Sequence, residues 1–250
     1  MTKTLRTRAW FFAMALFCTL SLYAQNHCSH NGCGGVKCMG IIGLEEQRDS
    51  FLPPPAGFDP QGERDVVISV TYNGFTTDAQ NAFQYAVDIW ASLLTSDVPI
   101  LIDANWEDIA GNTLGFAGPV TFFQNFNNAP QSNTYYPVAL ANKIAGFDLL
   151  NGQADVTATF DSGTNWYFGT DGEPGFGQYD FVSVVLHELG HGLGVTGSPT
   201  VDGGLGFYQL GNPIVYDTFV KNGGGTSILA FNDGTSSLAT QLTSGNLFFV

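Results

Sequence analysis

The chain has 250 residues and a formal net charge of −14, with 8 Lys and Arg against 22 Asp and Glu. So acidic a chain is repelled by phosphate backbones and anionic bilayers, which argues against nucleic acid and membrane surfaces as partners. Charged residues make up only 12% of the chain and glycines number 31, a balance suited to an exported, β-rich protein with one sizeable core.

Lys3, Arg6 and Arg8 precede the apolar run AWFFAMALFCTL, and Leu22-Tyr23-Ala24 offers a cleavage point before Gln25. Residues 1–24 therefore read as a signal peptide, with an apolar run too short to span a bilayer, and the mature chain is expected to be secreted. Residues 25–62 show no sustained period and carry Pro53-Pro54-Pro55, so they read as a leader or propeptide-like linker. Order is expected from residue 63 onward. DVVISVTY at Asp65 to Tyr72 alternates as a strand, and Thr77 to Leu94 carries a helical stripe of Ala79, Ala82, Phe83, Ala86, Val87, Trp90 and Leu94. Val98 to Ala104 reads as a second strand, and further strands are expected near Thr113 to Phe116, Val120 to Phe123, Tyr136 to Ala141 and Asp155 to Phe160.

The run FVSVVLHELGHGLGV follows. Apolar residues at Val182, Val185, Leu186, Leu189 and Leu193 predict a helix, with Asp180 as N-cap and Gly194 as its stop. On such a helix His187 and His191 project from one face a turn apart, the spacing that lets two imidazoles reach one tetrahedral zinc. Glu188 lies beside that position, where its carboxylate can take a proton from an activated water and return it to a leaving amine. A carboxylate between two histidines on an apolar helix is costly to bury without a metal, which favours a site over an incidental pair.

HELGHGLG at His187 to Gly194 resembles the opening of the metzincin zinc-peptidase pattern, and Asn165 to Gly194 is similar to secreted bacterial metalloproteases. The resemblance implies an α+β fold: a metzincin-like N-terminal subdomain in which a twisted mixed sheet is backed by two helices, the second carrying the HExxH motif. It also implies a catalytic domain over residues 63–250 that acts as a zinc endopeptidase on protein or peptide substrates. The third histidine of that pattern is replaced here by Gly197, and no histidine follows it.

Three readings of the third ligand stand open. In leishmanolysin-like metzincins an insertion separates the glycine from the third histidine, and the apolar ending Leu247-Phe248-Phe249-Val250 would suit a domain continued downstream. Asp217 in IVYDTF can supply a carboxylate instead, with Asp202 behind it. Finally, the site can be degenerate, in which case the chain is a surface adhesion or binding module that has kept the fold.

Three further groups have alternative readings. Cys28 lies between His27 and His30 and faintly resembles the cysteine switch of leishmanolysin-like propeptides; Cys28, Cys33 and Cys38 otherwise allow one disulfide and a spare thiol. Asp161, Asp171, Glu173 and Asp180 lie among glycines in turns that could hold calcium as a second ion, or simply face water. Tyr216, beside Asp217, is either a core tyrosine or an oxyanion donor. Neither the oligomeric state nor the cleavage preference follows from these residues.

Overall fold

The computed structural model describes residues 30–33, 36–38, 40–42 and 51–250. Residues 1–24, read above as a signal peptide, and His27 and Cys28 lie outside the described residues. The first described pieces are short strands: β1 (His30–Cys33), β2 (Val36–Cys38) and β3 (Gly40–Ile42). β1 and β2 form an antiparallel hairpin, whereas β3 joins the main sheet. These strands lie within the segment read as a leader, and three or four residues are too short to leave a readable alternation in the sequence.

β4 (Ile68–Asn73), helix α1 (Thr77–Leu93) and β5 (Ile100–Glu107) make a parallel crossover unit. The Thr76 hydroxyl caps α1 by accepting from the Ala79 amide, and the buried stripe Ala79, Ala82, Phe83, Ala86 and Trp90 turns toward the sheet. β6 (Thr113–Pro119), β7 (Phe122–Phe123) and β8 (Tyr136–Pro137) follow. Helix α2 (Val138–Ala145) then begins where the sequence suggested that a strand would continue to Ala141. Val138, Ala139, Ala141 and Asn142 are buried there, so burial on a helical face, ended by left-handed Gly146, outweighs the apolar alternation.

β9 (Val156–Asp161) completes a five-stranded mixed sheet of order β3-β6-β9-β5-β4. β4, β5 and β9 run parallel, while β6 runs antiparallel to β9 and β3 antiparallel to β6. β10 (Trp166–Tyr167) and β11 (Tyr179–Asp180) pair in parallel and lead directly into helix α3 (Phe181–Leu193). The Asp180 carboxylate accepts from the Ser183 amide, as the N-cap reading requires. Phe181 then anchors the first turn against Trp166 at 4.9 Å, Phe160 at 5.3 Å and Trp106 at 5.4 Å between ring centroids. Every residue of α3 is buried, so this is a core helix rather than a surface one.

Beyond α3 come the hairpin β12 (Pro199–Asp202) with β13 (Leu205–Tyr208), a 3-10 turn at Val215–Phe219, β14 (Val220–Asn222), helix α4 (Ser236–Leu242) and β15 (Leu247–Phe249). Tyr208, Ile228 and Leu238 form a smaller core under these elements. β15, the apolar ending, pairs antiparallel with β14. The described residues therefore form a mixed α+β fold in which a mixed sheet, α1 and α3 share the main core. No helix among them is long and apolar enough to cross a membrane.

Candidate metal centre

α3 is fixed from two sides. The indole Nε1 of Trp90 on α1 donates to the Leu186 carbonyl at 3.1 Å, one residue before His187. On the other side Gly192 lies against β9 so closely that a Cβ there would stand 2.3 Å from Val156 Cγ1. The helix ends at Gly194 with φ of 118°, a left-handed conformation that glycine takes without steric cost. That turn folds Val195 back: its amide donates to the Gly190 carbonyl at 2.9 Å, and its carbonyl lies 2.7 Å from His191 Nδ1.

The last contact sets the chemistry of His191. A carbonyl only accepts, so Nδ1 carries the proton and Nε2 presents a lone pair. That lone pair lies 3.0 Å from His187 Nε2, with the two rings 81° apart in plane. Burial holds His187 down to about 3, with His191 adding to the effect, and burial likewise lowers His191. Both rings are therefore neutral near pH 7, the protonation state that a metal ligand needs.

Glu188 is 0% exposed and His187 8%. The Ala117 amide on β6 donates to Glu188 Oε2 at 2.9 Å, so the sheet strand beside the helix holds the carboxylate in place. Of the three residues the sequence singled out, the structure brings the His187 and His191 rings together and seats the Glu188 carboxylate against β6. The groups that orient them, the Ala117 amide and the Val195 carbonyl, belong to the backbone and have no side-chain signature in the sequence.

Asp217 is placed differently. Its Oδ1 accepts from the Ser198 amide at 3.0 Å, and its Oδ2 from the Ser198 hydroxyl at 2.5 Å and the Ile214 amide at 2.8 Å. Burial pushes this carboxyl up to about 6, against the opposing pull of those bonds. A Cβ on Gly197, the position of the missing histidine, would lie 3.2 Å from Asp217 Oδ1 and 3.7 Å from Tyr216 Cδ1. The Asp217 carboxylate thus stands against Gly197, flanked by Tyr216. Tyr216 itself stacks on Phe249 at 5.0 Å between centroids. Among the described residues no three or more His, Cys, Asp or Glu are grouped to hold a metal ion, so Asp217 is not gathered with the two histidines. Asp202 is exposed in the β12–β13 hairpin.

The turn acids considered for calcium are engaged locally. Asp161 accepts from the Ile109 amide and the Thr164 hydroxyl, Asp171 from the Tyr167 hydroxyl and the Glu173 amide, and Asp180 caps α3.

The chain belongs to the SPBPB7E8-like family, whose model matches residues 70–223. The matched span runs from within β4 through α1, β9 and α3 past Asp217, so it holds His187, Glu188, His191 and Asp217. No curated protein and no solved structure matches the chain.

Proposed function

We propose that this chain is an exported zinc endopeptidase of metzincin-like architecture, with His187 and His191 as zinc ligands and Glu188 as general acid/base. One observation carries the reading: the two Nε2 atoms, 3.0 Å apart on a buried helix, belong to neutral rings that bracket a carboxylate held by a sheet amide. In the absence of metal, a hydrogen on His187 Nε2 makes that contact attractive; its loss leaves two lone pairs converging on one point.

In this reading Asp217, which the described structure does not gather with the two histidines, becomes the third donor once its carboxylate moves toward them. Oδ2 accepts two short bonds, whereas Oδ1 accepts one, leaving a lone pair on the oxygen that faces Gly197. Ligating carboxylates are commonly oriented by such outer bonds. Zinc, when bound, supplies Lewis-acid polarisation of the scissile carbonyl and acidifies water. The remaining work falls to Glu188. Its carboxylate takes the proton from water as the water oxygen adds to the peptide carbonyl, then transfers that proton to the leaving amine nitrogen as the C–N bond breaks.

The test is Glu188→Gln beside His187→Ala in the purified protein, scored by zinc per chain and by hydrolysis of unfolded protein. Glu188→Gln is expected to keep the metal and lose hydrolysis, and His187→Ala to lose both. Wild-type peptidase activity in Glu188→Gln would refute the mechanism. A wild-type chain that binds zinc but cleaves nothing would favour the binding-module reading.

A further inference from the structure

Ser198 is 0% exposed, and its amide and hydroxyl both donate to Asp217. The amide reaches Oδ1 at 3.0 Å and the hydroxyl reaches Oδ2 at 2.5 Å, while the Ser198 carbonyl accepts from the Gln209 amide at 3.3 Å at the root of the β12–β13 hairpin. The carboxylate is also fastened to its own turn by the Ile214 amide. Asp217 therefore cannot shift toward the histidines without either breaking its bonds to Ser198 or drawing Ser198 with it. Three residues before Ser198 stands Val195, whose carbonyl accepts from His191 Nδ1. Three peptide units join the two, a span of at most about 11 Å when fully extended. Val195 and Ser198 are both buried, with half-buried Thr196 and Gly197 between them. Each end of this short segment is thus bonded to one of the proposed ligands, and the link is too short to absorb much displacement.

We propose that Ser198 is a positioning residue that fastens Asp217 to the segment orienting His191, so that a divalent cation meets two ligands set by one strap, residues 195–198. The metal in this proposal rests on the peptidase reading, whereas the strap does not. The hydroxyl is the decisive group. Without it Oδ2 keeps the Ile214 amide and a 3.4 Å contact with the Ser198 amide, so a buried carboxylate oxygen loses its shortest bond. A buried acceptor deprived of a donor is costly, and the turn relaxes to recover one. That relaxation pulls on Ser198, and through Gly197 and Thr196 on the Val195 carbonyl that fixes the His191 ring. Groups that orient a ligand in this way change metal affinity by about ten- to a hundredfold when removed.

The test uses the full chain as wild type, Ser198→Ala, Asp217→Asn and the double variant. In the metal-free protein, with isotope-labelled histidine and tryptophan, NMR follows solvent exchange of the His191 Nδ1 proton. The Trp90 Nε1 proton, bonded to the Leu186 carbonyl, is followed beside it and reports the seating of α3 on α1. Ser198→Ala and Asp217→Asn cut the same clasp from opposite sides, so each should speed His191 exchange by roughly fivefold or more and leave Trp90 exchange unchanged. If one variant folds poorly, the other carries the measurement. Zinc affinity is then read by chelator competition. Ser198→Ala should weaken it by about tenfold, and should weaken it no further when added to Asp217→Asn.

Unchanged His191 exchange in the folded variants would overturn the inference, because the strap would then not transmit between the two ligands. Equal acceleration at Trp90 would also overturn it, since Ser198 would then only hold the fold together. Additive losses of zinc affinity would do the same, because Ser198 would be acting apart from Asp217. Faster exchange at His191 alone, in a chain whose wild type binds no zinc, would uphold the strap and refute only the zinc reading.

Discussion

Two glycines in α3, two residues apart, should respond to alanine with opposite sign. At Gly190 an added Cβ would lie 3.5 Å from Trp90 Cζ2, an ordinary contact, so the methyl fills available space. Glycine in a helix interior costs about 1 kcal/mol relative to alanine, so Gly190→Ala should stabilise the fold by up to about 1 kcal/mol. At Gly192 the same Cβ would stand 2.3 Å from Val156 Cγ1 and 3.1 Å from Cγ2, on a central strand with no freedom to retreat. Overpacking of this kind costs about 1–3 kcal/mol, and more where nothing yields. After the propensity gain, Gly192→Ala should lose up to about 2 kcal/mol. In a domain of this size that is a fall in Tm of up to roughly 8 °C, against a rise of up to about 4 °C for Gly190→Ala. Urea unfolding with and without EDTA gives the free energies, and Val156→Ala added to Gly192→Ala should recover part of the loss through a coupling of about 1 kcal/mol. If Gly192→Ala were as stable as Gly190→Ala, the close seating of α3 on β9 that positions His191 would be wrong.

The remaining predictions concern charge and ligation. Asp155, 1% exposed, is pushed up to about 6 by burial, although the Leu101 amide and Asn142 amide nitrogen both bond it. Its folded state binds the proton more tightly than the unfolded chain, whose value is 3.8. Ionisation therefore costs stability as pH rises from about 4 through about 6, by at most ~3 kcal/mol, and Asp155→Asn should flatten that part of the stability profile in urea titrations. Asp217→Asn should weaken zinc binding by about tenfold or more in a competitive chelator assay; an unchanged affinity would remove Asp217 from the ligand set. Trp90→Phe, which deletes the donor to the Leu186 carbonyl, should cost about 1–3 kcal/mol in the same unfolding assay.

The pairing of His187 with His191 was legible because the two lie one helical turn apart and need only the helix period to meet. α1 and β9 were legible for the same local reason, since their apolar spacing states which face is buried. What could not be read is what distant backbone supplies. Glu188 is oriented by an amide 71 positions earlier and Trp90 bonds a carbonyl 96 positions later, through groups that every residue carries. α2 was misread because Val138 to Ala141 is apolar in both phases, so its period did not separate strand from helix.

Gly197 and Asp217 show the same division at the third ligand. The resemblance marks Gly197 as the position where the pattern has a histidine, and the fold sets the carboxylate of Asp217, 20 residues later, 3.2 Å from where a Cβ on Gly197 would lie. A histidine at Gly197 would project its ring toward Asp217 Oδ1, so the two residues compete for one volume and cannot be judged separately. If the acid serves in place of the imidazole, Gly197→His alone should unfold or displace the 3-10 turn at Val215–Phe219. Gly197→His with Asp217→Ala should instead be accommodated and bind zinc at least as tightly as the wild type. Failure of the double variant to bind zinc, in a chain that still folds, would show that the two positions are neighbours without sharing a role.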